Sequence, residues 1–147
     1  MTIVCLFIVL SFFTWGCSES EPDHTIRVGL AHAPTQLDPR YATDATSARI
    51  NRLIYSQLVD FADDATPIPS LATWEALTPT HYRFTLIDPR PSFPDGTRLS
   101  SQDVEATYTS LLDPKTLSPH RGLLQNISRI ETPSESTIDF FLTHPDR

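Results

Sequence analysis

The chain has 147 residues, with 18 acidic and 11 basic side chains, five histidines and a formal net charge of -7. That length suits about one ordinary domain, and the acidic balance argues against nucleic acid as a partner. Its two cysteines, Cys5 and Cys17, exclude cysteine-based zinc or redox chemistry and a framework of disulfides.

The first 17 residues, MTIVCLFIVLSFFTWGC, carry no charge, and Ile3 to Phe13 is apolar except for one serine. Such a run is short for a permanent membrane span and reads as the core of a signal peptide. Gly16-Cys17 follows at once, where a lipoprotein signal peptidase would cut. Residues 1–16 are therefore expected to be a lipoprotein signal peptide, and residues 17–24 the lipidated Cys17 and a tether. Thr14, Trp15 and the absence of an early Lys or Arg depart from the usual pattern. An ordinary secretory signal or a buried amino-terminal helix are the other readings. All the charged residues lie beyond Cys17, and Ser18 to Asp23, SESEPD, is small, polar and acidic, as a spacer is.

Thr25 to Ala31, TIRVGLA, places Ile26, Val28 and Leu30 in alternation and predicts a strand running into a loop at Pro34. From Ser47 to Val59, the residues Ala48, Ile50, Leu53, Ile54 and Leu58 recur at helical spacing, with Thr46 or Ser47 as cap. One face of that helix is expected to be buried. Pro67, Pro69 and Pro79 leave little room for a long regular element around Trp74. His81 to Ile87 alternates Tyr82, Phe84 and Leu86 against Arg83 and Thr85, a strand pattern that the prolines 89, 91 and 94 and the Asp95-Gly96 turn then end.

Ser100 caps a predicted helix to about Leu112, with Asp103 placed to reach back to the cap, and Asp113-Pro114 stops it. A helical turn is expected near Pro119 to Gln125. Ile127 to Glu131 and Thr137 to Leu142 read as two strands joined by a polar turn over 132–136.

Four of these stretches, in this order, resemble the amino-terminal domain of the family 5 extracellular solute-binding proteins, the oligopeptide, dipeptide and nickel receptors of ATP-driven importers. They are LDPRYATDATSARINRLIYSQLV (37–59), PIPSLATWEAL (67–77), YRFTLIDPRPSFPDGTRLSSQDVEATYTSL (82–111) and IETPSESTIDFFLTHP (130–145). Ile87-Asp88-Pro89 replaces the family's usual Leu-Arg, and no Asp-Gly turn stands between Trp74 and Tyr82. The resemblance implies an α/β fold, part of the first lobe of a two-lobed, type II periplasmic-binding-protein-like architecture, with residues 25–147 as a partial and incomplete amino-terminal lobe. Family members are several times longer, so the chain reads as a fragment, a truncated product or a decayed copy.

The implied function is capture of a small peptide or similar solute by closure of two lobes and delivery to the permease subunits of an ABC importer. The protein is then exported, lipid-anchored to the cell membrane and facing the periplasm or the cell exterior. A decayed copy without transport activity and a lipid-anchored sensory or accessory module are the alternatives. By analogy with open α/β sheets, whose ligands sit beyond strand ends, Ala31, His32, Ala33 and Pro34 are the expected ligand-facing residues.

No enzyme is implied. The sequence holds no serine, histidine and acid motif of a hydrolase and no glycine-rich phosphate loop. No two histidines have the spacing of a helical metal site, so neither a metal nor a cofactor is expected. Asp38, Asp44, Asp95 and Asp103 fall at turns and caps, where carboxylates bond backbone amides. Phe93 is expected to anchor the core beside the Asp95-Gly96 turn, and Tyr55, Trp74 and Tyr108 to pack rather than stack on a ligand.

Overall fold

A computed structural model describes Thr25 and residues 27–146, and the expected signal peptide, Cys17 and tether lie outside the described residues. The chain divides into two compact units after Ala31. In the first, Thr25 and residues 27–31 are exposed and carry no strand, unlike the expectation from their alternation. All the regular structure among the described residues lies in the second unit, from His32 on.

Helix α1 runs Ala45–Ile54. Asp44 caps it, its Oδ1 accepting from the Ser47 amide at 2.8 Å. The cap thus sits earlier than Thr46 or Ser47, and the helix stops well before Val59, because Tyr55 is already extended. Leu58 and Val59, which fit the helical period, instead open a small antiparallel hairpin of β1 (Val59–Phe61) and β2 (Pro67–Pro69). The buried stripe of α1 is also not the expected one. Ser47 and Asn51 face inward, while Leu53 is 74% and Ile54 55% exposed.

The main sheet has four antiparallel strands in the order β3-β4-β6-β5: β3 (Ala72–Thr78), β4 (His81–Leu86), β5 (Ile127–Ser134) and β6 (Thr137–Leu142). The prolines around Trp74 delimit β3 rather than prevent it, since Pro69 precedes the strand and Pro79 follows it. Strand β5 runs on through Pro133. As an edge strand with register shifts at both ends it tolerates a residue that cannot donate to a ladder.

Helix α2 (Ser101–Leu112) covers one face of this sheet. The Asp103 carboxylate accepts from both the amide (2.8 Å) and the hydroxyl (2.7 Å) of Ser100, fixing the first turn as expected. Residues opposite one another across antiparallel strands share a face. The rows Trp74–Phe84–Ile138 and Ala76–Tyr82–Phe140–Ile130 are therefore on the apolar side. The core gathers Ala72, Leu86, Leu99, Val104, Ile138 and Phe140, with Tyr108 and Phe84 set edge-on to Phe140 at 4.9 and 5.3 Å. Tyr108 packs as expected. Trp74 and Tyr55 do not, and Phe93 is 43% exposed, so the Asp95-Gly96 turn holds without burial of that side chain.

That turn is held by local bonds. Gly96 has φ 87°, a conformation that suits glycine, and the Asp95 Oδ1 accepts from the Thr97 amide at 2.9 Å. The turn between β5 and β6 then ties strands and helix together. Glu135 O accepts from the Ser101 amide, Ser136 O from the Leu86 amide, and Ser134 O from the Ser101 hydroxyl at 2.6 Å. A 3-10 turn (Pro114–Thr116) and the four-residue helix α3 (Arg121–Leu124) follow α2, the latter inside the span 119–125 where a helical turn is expected.

Candidate solute-facing loop

The expected site residues sit at the start of the second unit and the end of the first. Ala31, His32 and Ala33 are exposed and Pro34 is half-buried, with no regular structure across them. None of the four makes a hydrogen bond through its side chain among the described residues. From Thr35 onward the chain is held firmly. Ser47 Oγ accepts from the amides of Thr35 and Gln36, each at 3.0 Å, and the Thr35 hydroxyl donates to Asp44 Oδ2 at 2.5 Å.

This is the physical reason α1 turns a serine inward: one hydroxyl satisfies two backbone donors that the loop would otherwise leave unpaired. The same bonds act on Asp44, whose carboxyl is held well below the usual carboxylate range by hydrogen bonds from Ser47 and then Thr35.

The far side of the loop is fixed just as closely. Asp38 accepts from the Arg40 side chain (2.7 Å to Nη2) and from its amide (3.0 Å), and the Arg40 side-chain hydrogen bond is the main cause of a lowered Asp38 pKa. Arg40 Nη1 reaches Ser110 on α2 at 2.9 Å. The Ser118 hydroxyl donates to Arg40 O at 2.7 Å, and His120 Nε2 lies 2.8 Å from Ala42 O, placed to donate to that carbonyl. Residues 35–42 thus form a rigid base between α1 and the end of α2, from which His32 to Pro34 project.

Sequence reasoning singles out the projecting residues but not the long-range bonds of Arg40, Ser47, Ser118 and His120, which reach partners 11 to 78 residues away. No local pattern marks such pairs.

A second polar cluster lies on the uncovered face of the main sheet. Arg83 grips Asp139 with two bonds of 2.7 Å, and Asp139 is 3% exposed. His81 stacks on Phe141 with ring centroids 4.2 Å apart, its Nε2 3.4 Å from Asp139 Oδ2, and the Arg129 guanidinium lies 3.9 Å from the centre of the Phe141 ring. This arrangement is an ion pair and ring stack linking three strands. Among the described residues no three His, Cys, Asp or Glu side chains are grouped to hold a metal ion, and no helix among them is long and apolar enough to cross a membrane.

No protein-family model matches the chain. The periplasmic murein peptide-binding protein MppA of Escherichia coli is 26% identical over 127 residues, covering 81% of this chain. The unliganded open form of MppA superposes with a TM-score of 0.70 over 76% of this chain at 25% identity. The protein AgaA of A. tumefaciens R10, solved in complex with agropinic acid, is 32% identical over 77% of this chain with a TM-score of 0.71. Over most of its own length the chain is thus similar to family 5 extracellular solute-binding proteins.

Its mixed α/β architecture matches part of the periplasmic-binding-protein fold of these neighbours. The chain spans about a quarter of the length of these relatives, 24% of MppA and 23% of AgaA. A further relative is the HTH-type transcriptional regulator SgrR of Shigella dysenteriae, 30% identical over 134 residues, of which the chain covers 23%. Similarity of this kind therefore also extends to a protein named as a regulator.

Proposed function

We propose that this chain is part of the binding component of an ABC importer for a peptide or similar small solute. The observation that carries the reading is the superposition on AgaA at 32% identity, because AgaA is a binding protein solved with its ligand in place. The neighbours are solute-binding proteins, and in this reading no reaction is catalysed. Residues 25–147 act as a partial amino-terminal lobe, and Ala31, His32, Ala33 and Pro34 face the solute. The rigid base over 35–42 supports that role, since a recognition loop gains when few of its residues must be ordered on binding. Cys17 carries the lipid that holds the exported protein at the membrane, with residues 1–16 as the removed leader.

The test is photocrosslinking in cells producing the protein from its native locus. With p-benzoylphenylalanine in place of His32, irradiation should yield peptide or small-solute adducts, and the same group in place of exposed Leu117 should yield none. Equal labelling at both positions, or none at either, overturns the site assignment.

The resemblance to SgrR favours a second reading, in which the domain reports on solute rather than delivering it. Deleting the gene separates the two. Loss of peptide uptake supports import, whereas unchanged uptake with altered transcription supports sensing.

A further inference from the structure

We draw no further inference here: the strongest candidate, the apolar hollow of about 260 Å³ between α2, α3 and the main sheet, lined by Tyr82, Tyr108, Leu123 and Phe140, is open along its outer side and nothing in the structure shows what covers it.

Discussion

Asp139 is the most consequential single residue of the sheet. A carboxylate this buried is tolerable because Arg83 neutralises it through two charge-assisted bonds. Replacing Arg83 with Ala leaves the charge buried without its main partner. The expected loss is about 1 to 3 kcal/mol, at the lower end because the arginine itself is part-exposed. Chemical denaturation of the variant beside the parent reads it directly.

The pH dependence follows from the same pair. Arg83 holds the folded-state pKa of Asp139 below the ordinary value, mainly through the side-chain hydrogen bond. The stabilisation is therefore fully present above the unfolded value of about 3.9 and fades as pH falls through the folded value. Between pH 6 and pH 3 the parent should lose more stability than Asp139→Asn, and parallel melting curves for the two would refute the assignment. Sequence position was informative for other carboxylates. Asp38, Asp44, Asp95 and Asp103 all cap or brace local backbone as expected, because their partners lie two or three residues away. The Arg83–Asp139 pair joins residues 56 apart, and only strand register brings them together.

Among the elements, α1 shows how local periodicity misleads. Its apolar residues recur at helical spacing, yet the stripe that turns inward is Ser47 and Asn51. Tertiary demand overrides pattern here, since the loop amides at Thr35 and Gln36 need an acceptor and Ser47 supplies it. Ser47→Ala should cost about 1 to 3 kcal/mol, the penalty of two amides left unpaired in a part-buried site. Hydrogen exchange at those two amides should accelerate more than elsewhere in the chain.

Asn51 is the contrasting case. It is 7% exposed, and neither polar atom of its side chain has a partner. Asn51→Leu, which removes a buried unsatisfied amide and keeps the branching of the side chain, should be neutral or stabilising in a thermal melt. A clear loss of stability would mean that the amide has a partner in solution. Helix α2 behaved as its sequence predicts, because its start signal is local: Ser100 and Asp103 find each other within one turn.

At the scale of the molecule, the buried apolar core among the described residues is six side chains, too few to hide the apolar surface they carry. Leu53, Ile54, Phe61, Leu77 and Leu123 are all exposed, and exposed apolar area on this scale marks surface suited to contact with further polypeptide. A small-molecule site buries most of its ligand within a concave pocket, and the relatives that form one are about four times as long. Purified residues 18–147 should therefore bind a mixed peptide pool weaker than micromolar and melt with low cooperativity. Calorimetric titration together with a thermal scan checks both, and a sharp transition with micromolar binding would show that the span is a self-sufficient receptor. On the proposed lipidation of Cys17, Cys17→Ser should release the protein from membranes, because acyl chains supply about 0.8 kcal/mol per buried CH₂. Retention of that variant after high-salt and carbonate washes would exclude lipid anchoring as the attachment.

What the sequence determined by itself was whatever depends on near neighbours. That includes the strands over 81–86 and 137–142, the α2 start and the Asp95-Gly96 turn. Tertiary structure decided which face of α1 is buried, where that helix ends, that β3 forms between two prolines, and that Phe93 and Trp74 stay exposed. The physical reason is range. A cap or turn is settled by hydrogen bonds across two to four residues, whereas burial is settled by which distant backbone or side chain arrives to compete with water, and no local pattern encodes that arrival.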